Sequence, residues 1–358
     1  MLAVVYYISG HGFGHAVRSR TVMRSLQQVC PDIVLHVRTT APSWLFNDLP
    51  SAIHYWKQSL DVGVIQQDSL QMDLQATFKA CASLHQKIPQ LIEQELSFID
   101  QAQARLILAD IPPLAFAVAA RAALPSVAIS NFSWNWIYRF YLEEFPSFLP
   151  LIEQMESFYR HASLCLSLPF SADLSIFPKR VSIPLIARTS RLDKRQARAR
   201  YGLPAEKKIA LLSFGGLGLS QLVAGAVERD ADYLFVTTGR KPLRKQNLVV
   251  LPDEQLHYED LVRAADAVVT KPGYGIVADV IAHQVPVLYT SRGPFPEYPY
   301  LLQTLSAWAT SDFIPQEELL AGNMVPYLER LLHKPPNWPA VLLNGAEMTA
   351  EKILELLR

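Results

Sequence analysis

Short runs of consecutive apolar residues alternate along this chain with longer segments whose apolar positions recur at helical spacing. An uninterrupted apolar run is typical of a parallel strand that is buried on both faces. The first run covers residues 2–8, and the segment from Ala16 to Val29 has the pattern of a helix. Further strands of the first half are predicted in IVLHVRT from Ile33, LILAD at 106–110 and SVAIS at 126–130. This alternation predicts βαβ units around a parallel sheet.

The same alternation begins again in the second half. After a basic, helix-prone segment between Ser182 and Leu203, strand-like runs return in KIALLS, YLFVTTG, NLVVLP, AVVT and PVLYTS. The predicted fold class is therefore α/β, with two Rossmann-like, doubly wound domains at residues 1–180 and 181–335. Residues 336–358 contain a proline-rich stretch and a final amphipathic helix that can pack back on the N-terminal domain.

Length and composition agree with two α/β domains and exclude some classes of function. At 358 residues the chain is too long for one ordinary core, and 50% of its residues are apolar. Its 33 basic and 33 acidic residues form no long run of one sign, which argues against a nucleic-acid-binding protein. The three cysteines lack metal-ligand spacing and indicate a reducing compartment, so we expect a cytoplasmic protein.

Two apolar segments have to be distinguished from membrane signals. The N-terminus has no basic flank or cleavage-like end, which favours a first strand over a signal peptide. The apolar stretch from Ile111 to Ile129 is about long enough to span a bilayer, but prolines and an arginine interrupt it. We therefore expect no transmembrane segment, while contact with a membrane surface stays open.

Glycines are concentrated in three short clusters, each between a strand-like and a helix-like segment. Glycine is needed where the backbone adopts a positive φ or approaches a ligand closely. A turn of this kind aims free backbone N–H groups and the helix dipole at an anion, so the clusters predict a phosphate-bearing ligand. The clusters are Gly10, Gly12 and Gly14; Gly215, Gly216 and Gly218; and Gly273 and Gly275.

The first cluster, SGHGFGH at residues 9–15, combines glycines with two histidines. We predict ligand contacts for Gly12 and Gly14. The G-x-G-x-G spacing departs from the dinucleotide fingerprint, so a dinucleotide enzyme fits poorly. The next strand ends in Arg38 and not in an acid, and since an arginine can meet a 2′-phosphate, an NADP enzyme stays open as an alternative. His15 lies near the start of the first helix, where an imidazole can take a proton from an acceptor hydroxyl. A capping or loop-bracing histidine is the alternative.

The second cluster is predicted to contact either a diphosphate or the acceptor, and the third is predicted to hold the diphosphate of a nucleotide. SFGGLG at 213–218 offers backbone N–H groups and the hydroxyl of Ser213, although a plain strand–helix turn is the competing interpretation. TKPGYG at 270–275 opens a helix, and Asp279 in its second turn can accept two hydrogen bonds from a ribose diol. A favourable interaction of Asp279 with the helix dipole alone is the alternative. The flanking cations can offset the diphosphate charge. The candidate donor-site residues here are Ser213, Gly215, Gly216, Lys271, Gly273, Tyr274, Gly275, Asp279 and Arg292.

Polar residues also follow two predicted strands of the first half. Asp110 ends one strand, and Asn131 and Ser133 follow the next one in an aromatic segment, ISNFSWNWIYRFY. Because ligands bind at the carboxyl ends of strands in open sheets, we predict a catalytic role for Asp110 and acceptor contacts for Asn131 and Ser133. The aromatic side chains can line a sugar or acyl pocket, but core packing is their more common use.

Two absences narrow the chemistry. Asp230 and Asp232 resemble a D-x-D metal motif but precede a strand, and no other metal-ligating residues have convincing spacing. We therefore expect neither a metal ion nor a cofactor. The sequence has no G-x-x-x-x-G-K-[ST] loop, which weakens a kinase or NTPase interpretation.

Over nearly its whole length the chain resembles the glycosyltransferase-like N-terminal region of plant L-arabinokinases and its bacterial relatives. Four segments carry the resemblance: YYISGHGFGHAVRS, ILADIPP, ISNFSWNWIY and TKPGYGIVADVIAHQVPVLYTSRGPFPEYPYL. The layout is more distantly similar to the family 28-like N-acetylglucosamine transferase of peptidoglycan synthesis. The resemblance implies the GT-B architecture, in which two Rossmann-like domains face a central cleft and the C-terminal one holds most of a UDP-sugar.

The resemblance also implies roles for single residues. Asp279 falls where the transferase holds the uridine ribose, and Gly273, Tyr274 and Gly275 fall in its phosphate loop. Glu297 lies near the expected contacts to the donor sugar, although the surrounding PFPEYPY differs from the corresponding segment. His15 matches the histidine that closes the first glycine loop.

The leading hypothesis is a metal-independent, inverting glycosyltransferase of hexosyl or N-acetylhexosaminyl type. It would use a UDP-sugar and a small-molecule or lipid-linked acceptor, with His15 or Asp110 removing the acceptor proton. One alternative is an isomerase of the UDP-sugar 2-epimerase type, for which Glu297 and His15 are the candidate groups. A non-catalytic nucleotide-sugar-binding protein is the other.

Overall fold

Each half of the alternating pattern forms its own seven-stranded sheet. The computed structural model describes residues 2–67, 71–215 and 232–357. Its first unit contains Met1–Ile65, Asp73–Ile186 and Leu342–Arg358, and its second contains Gln66–Met72 and Ala187–Val341. Most of the second glycine cluster, including the candidate Gly216, lies outside the described residues, as does Asp230.

The sheet of the first unit is parallel throughout. Its strands are β1 (Leu2–Ile8), β2 (Ile33–Thr39), β3 (His54–Lys57), β4 (Ala104–Asp110), β5 (Ser126–Ser130), β6 (Leu164–Ser167) and β7 (Arg180–Ser182). They lie in the order β3-β2-β1-β4-β5-β6-β7. The order reverses between β1 and β4, and at such a switch point the carboxyl ends of the strands open a crevice.

The sheet of the second unit repeats this plan. Its strands are β8 (Lys208–Ser213), β9 (Tyr233–Gly239), β10 (Leu243–Lys245), β11 (Leu248–Pro252), β12 (Ala267–Thr270), β13 (Val287–Tyr289) and β14 (Ser311–Phe313). They lie in the order β10-β11-β9-β8-β12-β13-β14, and only the β10–β11 pair is antiparallel among the pairs described. The switch point of this sheet lies between β8 and β12.

Helices connect the strands of both units. Those described are α1 (Gly14–Val29), α2 (Leu74–Gln101), α3 (Leu114–Arg121), α4 (Trp134–Arg139), α5 (Leu149–Tyr159), α6 (Lys194–Arg200), α7 (Tyr258–Ala264), α8 (Tyr274–His283), α9 (Tyr298–Trp308), α10 (Gln316–Leu320), α11 (Val325–Leu332) and α12 (Gly345–Leu357). Among the described residues, none of these helices combines the length and apolarity that crossing a bilayer requires.

Burial explains why the apolar runs form central strands. Residues Val4 to Tyr7 of β1 are completely buried, since β1 has neighbours on both sides and helices cover the sheet. In the second unit, Ala210 and Leu212 of β8 share a core cluster with Val269 of β12. The polar residues that follow these central strands therefore lie at the carboxyl edge of a rigid sheet.

The C-terminal helix α12 belongs to the first unit, where it packs against α1. Its first residue, Gly345, lies so close to the preceding chain that a Cβ atom there would be 2.2 Å from the carbonyl oxygen of Pro184. Since no side chain fits at this position, glycine lets α12 dock directly on the backbone of residues 184–186.

Candidate active site

A buried histidine–carboxylate pair lies at the switch point of the first sheet. His15 is the second residue of α1 and is 7% exposed, while Asp110, the last residue of β4, is completely buried. His15 Nδ1 lies 2.7 Å from Asp110 Oδ1. An ionised carboxylate can only accept a hydrogen bond, so we assign the proton to Nδ1 and leave Nε2 as the basic nitrogen. In the described part of the chain, Nε2 has no hydrogen-bond partner.

Arg18, which the sequence interpretation missed, fixes this carboxylate. Its Nε donates to Asp110 Oδ2 at 2.8 Å and its Nη2 to Oδ1 at 2.6 Å. The hydroxyl of Ser19 also donates to Oδ2, at 3.2 Å. Burial alone would raise the pKa of Asp110, but the charges and hydrogen bonds of Arg18 and His15 hold that pKa below its usual range. Asp110 therefore stays ionised, and its two occupied oxygens make it a support for His15 rather than a proton acceptor.

The two predicted acceptor residues are both buried next to this pair. Asn131 is 1% exposed, and its Oδ1 accepts a hydrogen bond from Arg18 Nη1 at 2.9 Å. Ser133 precedes α4 and is completely buried, and its Oγ has no hydrogen-bond partner among the described residues. Asn131 thus completes the support of Arg18, while contact of either side chain with an acceptor stays a prediction.

A second buried carboxyl group, Asp61, lies near His15 and was also missed. Its Oδ2 accepts a hydrogen bond from Trp134 Nε1 at 2.8 Å, and the Trp134 ring lies 6.0 Å from the His15 ring. Burial raises the pKa of Asp61, although the side chains of Ser9, His15 and Trp134 oppose that rise. The loop before α2 that carries Asp61 has no motif, so its position could not be read from spacing.

The Asp61 loop is fastened to the first glycine loop. His11 Nδ1 accepts a hydrogen bond from the backbone N–H of Val64 at 3.3 Å. Gly63 packs against the same ring with φ at 69°, a conformation that favours glycine, and its carbonyl accepts from Tyr138 at 2.8 Å. His11 therefore braces the loop that carries Asp61 against the first glycine loop.

An apolar cavity extends from Asp61 and Trp134 into the first unit. Besides these two residues its wall is formed mostly by aliphatic side chains of α2, α3 and α5 and the residues beside them, among them Leu84, Ile88, Leu114, Leu151 and Met155. The aromatic segment therefore contributes both core residues and a cavity wall.

In the second unit, Asp279 lies in α8 and is 1% exposed. Its Oδ1 accepts a hydrogen bond from the backbone N–H of Arg188 at 3.0 Å, and its Oδ2 accepts from Arg188 Nε at 2.9 Å and from Nη2. The Arg188 guanidinium lies 4.7 Å from the centre of the Tyr258 ring. The predicted ribose carboxylate is thus covered by an arginine that the sequence interpretation placed in a linking segment.

The carboxyl ends of β8 and β12 meet beside this pair. Tyr258 donates a hydrogen bond to Ser213 Oγ at 2.5 Å, and Thr270 Oγ1 donates to the carbonyl of Ser213 at 2.5 Å. Helix α8 follows directly, with Gly273 at its N-cap and no acidic side chain in its first turn. Its first backbone N–H groups lack helical partners, so this end of the helix is suited to an anion.

The remaining donor-site candidates fall into two groups. Arg292 donates to Glu297 Oε2 at 2.7 Å, and its guanidinium lies 3.9 Å from the centre of the Phe295 ring. The two candidates therefore form one ion pair, in which Glu297 is buried and Arg292 half-buried. Lys271 Nζ donates to Gln66 Oε1 at 3.2 Å. Glycine positions that remain open at the surface are Gly12, with φ at 66°, Gly14 and Gly215, with φ at 71°. Tyr274 and Gly275 are half-buried in the first turn of α8.

No three His, Cys, Asp or Glu side chains within residues 2–67, 71–215 and 232–357 come together in a way that could hold a metal ion. The expected metal independence stays a prediction.

Comparison with known sequences agrees with the resemblance noted in the sequence. Residues 2–142 match the family model for glycosyl transferase family 1. Over 99% of its length the chain is 28% identical to L-arabinokinase from Arabidopsis thaliana, and it spans only 34% of the length of that relative.

Solved structures share the fold over almost the whole chain. The glycotransferase of kitacinnamycin superposes with a TM-score of 0.63 at 16% identity, covering 99% of both chains. The UGT2 protein of Phytolacca americana, complexed with UDP-2-fluoro-glucose and pterostilbene, has a TM-score of 0.60 at 13% identity, covering 100% of this chain and 94% of that one. The predicted GT-B fold is thereby confirmed, and the family match supports a glycosyltransferase.

Proposed function

We propose that this chain transfers a sugar from a UDP-sugar to a hydroxyl group of an acceptor, with inversion and without a metal ion. The observation that carries the proposal is the His15–Asp110 pair, in which Nδ1 bonds to a buried, ionised carboxylate and Nε2 is left as a base. The match to glycosyl transferase family 1 and the shared GT-B fold support this class of reaction.

Proton transfer and bond formation occur together in the proposed reaction. The acceptor oxygen attacks the anomeric carbon from the face opposite to the diphosphate, while the bond between that carbon and the diphosphate oxygen breaks. The acceptor proton moves to His15 Nε2, and the imidazolium that results is stabilised by Asp110. Arg18 keeps Asp110 ionised and correctly oriented, so its role is to position the pair.

The second unit supplies groups suited to the leaving UDP. Backbone N–H groups at the start of α8 and the positive end of its dipole favour the diphosphate as its charge grows. Ser213 and Lys271 are the proposed side-chain contacts, and Glu297, buried against Arg292, is the proposed contact to the donor sugar. Fixed positive groups of this kind can stabilise the charge that develops on the leaving diphosphate, as a divalent ion does in other transferases.

The proposed acceptor is a small molecule with an apolar body and at least one hydroxyl group. The side chains next to the proposed base support this chemistry: the rings of Phe132 and Trp134 lie 5.7 and 6.0 Å from the His15 ring. A lipid-linked acceptor with the same apolar character is the alternative.

UDP release from a panel of UDP-sugars, measured with and without hydroxylated apolar acceptors, tests the proposal. A transferase releases UDP in an acceptor-dependent manner and loses this activity in His15→Ala. Conversion of the donor alone would instead establish an isomerase. UDP-sugar binding without any product, unchanged in His15→Ala, would establish a binding protein and overturn the proposal.

A further inference from the structure

We propose that Arg188, and not Asp279, contacts the ribose of the bound nucleotide, through its Nη1 nitrogen. This inference rests on the proposed use of a UDP-sugar and adds to it the group that recognises the nucleotide. Asp279 then acts as a positioning residue, which holds the guanidinium in place without touching the ligand.

Arg188 holds the carboxylate of Asp279 from inside the second unit. It is 1% exposed, and both of its oxygens accept hydrogen bonds from Arg188, one from the backbone and one from the guanidinium. Breaking a buried pair of this kind leaves an uncompensated charge, which is strongly unfavourable. A ribose that approaches this position therefore meets the guanidinium before it can reach the carboxylate.

The guanidinium itself retains donor capacity. Nε and Nη2 are bound to Asp279, while Nη1 makes no hydrogen bond to any residue that the structure describes. The Arg188 side chain is 12% exposed, so part of it lies at the surface of the unit. An arginine has no acceptor atoms, and its remaining N–H groups suit hydroxyl oxygens such as those of a ribose.

Its surroundings place this donor next to the predicted diphosphate site. The guanidinium lies against the ring of Tyr258, whose hydroxyl donates a hydrogen bond to Ser213 at the end of β8. Asp279 holds the guanidinium from α8, the helix that has Gly273 at its N-cap. A nucleotide with its diphosphate at the end of β8 and the start of α8 would have its ribose within the same part of the unit.

Calorimetric titration with UDP and with 2′,3′-dideoxy-UDP, which lacks both ribose hydroxyls, tests this assignment. The wild-type protein should prefer UDP by about tenfold or more, the range expected for a hydrogen bond to a charged donor. In Arg188→Met and in Arg188→Lys the preference should fall towards one, since both lack Nη1. Lysine keeps a positive charge against Asp279, so it provides the test if the methionine variant fails to fold.

The double variant Arg188→Met/Asp279→Asn separates positioning from contact. It should show the same lost preference as Arg188→Met alone, because residues that act through one another are not additive. Arg121→Met, which removes an exposed arginine paired with Glu93, is the matched control and should leave the preference unchanged.

The outcomes distinguish this inference from the proposed function. Wild-type protein that binds UDP without preferring it over the dideoxy compound would overturn the inference alone. The same holds if Arg188→Met or Arg188→Lys retains the preference, since neither variant has the Nη1 donor. Wild-type protein that binds neither compound would overturn the proposed function together with the inference.

Discussion

His15 is the residue on which the proposed chemistry depends most directly. Replacing it with alanine removes the base but leaves Arg18 to hold Asp110. We expect turnover to fall by about 10²- to 10⁴-fold, the usual contribution of a general base, while the affinity for UDP changes little. Steady-state kinetics and UDP titration of the same preparation measure both quantities. An equal loss of UDP affinity would show that His15 binds the donor instead of activating the acceptor.

Asp110 should be as important for stability as for catalysis. Asp110→Asn leaves the buried Arg18 without its counter-charge, which should lower the free energy of unfolding by about 3–5 kcal/mol. Because the pKa of Asp110 is lowered in the folded protein, its contribution is present above the ordinary value of 3.8 and is lost as the pH falls through the folded pKa. Urea unfolding at pH 7 measures the difference.

Glu93→Gln is the control for Asp110→Asn, since it breaks the ion pair with Arg121, whose two side chains are more than half exposed. Its effect should stay below about 1 kcal/mol. If the two substitutions lowered the free energy of unfolding equally, the buried Arg18–Asp110 pair would stabilise the protein no more than an exposed ion pair does.

Asp61 should show the opposite dependence on pH. Burial raises its pKa in the folded protein, so its stabilising contribution is full below the ordinary value of 3.8 and is lost as the pH rises through the folded pKa. The ionised carboxyl therefore opposes folding at neutral pH. In Asp61→Asn the amide oxygen can still accept from Trp134, and we expect this variant to be more stable than the wild type at pH 7.

Unfolding of Asp61→Asn and wild type at a series of pH values checks this prediction. The difference between the two proteins should shrink as the pH approaches 3.8 from above. A stability difference that does not change with pH would mean that Asp61 is ionised at no cost.

The sequence predicted the candidate side chains that follow strands, but it did not predict the arginines that hold those side chains in place. His15 and Asp110 could be predicted because a glycine loop and a strand end mark the edge of a sheet. Arg18 lies one helical turn after His15, a spacing that puts both on one face, but an arginine in a helix is ordinarily solvated. Arg188 pairs with a residue 91 positions away, and no local pattern reports such a contact.

At the level of helices and strands, the apolar pattern was sufficient for most of the fold. Runs such as residues 2–8 became central strands, and the helix predicted from Ala16 to Val29 is observed as Gly14–Val29. Short edge strands were not predicted: β3 has one half-buried residue among four, so it lacks the apolar run that marks a central strand. The pattern reports burial on two faces, and edge strands have less of it.

The docking of α12 depends on one position without a side chain. In Gly345→Ala the new Cβ would meet the carbonyl oxygen of Pro184 at 2.2 Å, so the helix or the segment before it has to shift. We expect a loss of about 1–3 kcal/mol in unfolding free energy, as for other overpacked positions. Gly273→Ala, whose Cβ would have no atom within 4 Å, is the control for stability. Equal stability of the two variants would mean that α12 is not held tightly at its first turn.

Across the whole molecule, the side chains of the proposed reaction are divided between the two units. The His15–Asp110 pair belongs to the first unit, and the arginine–carboxylate pairs next to the glycine-rich turn before α8 belong to the second. Doubly wound sheets place their ligand sites at the carboxyl edge, which is why the same strand-end logic located polar clusters in both. Both units therefore place polar groups by one architectural rule. In the proposed function these groups are a proton acceptor in the first unit and anion-binding groups in the second.

This division predicts which unit UDP alone should bind and order. UDP carries the diphosphate and the nucleoside but no group for His15 to deprotonate, so binding should order the second unit more than the first. At about 100 times its dissociation constant, UDP should stabilise the folded state by about 2.7 kcal/mol. Hydrogen exchange with saturating UDP should slow mainly in amides of α8 and the ends of β8 and β12, with much smaller changes in β1, α1 and β4. ADP is the control for nucleobase selectivity and should protect the same amides less. Protection confined to the glycine loop of the first unit would place the nucleotide there and contradict the assignment of the donor site to the second.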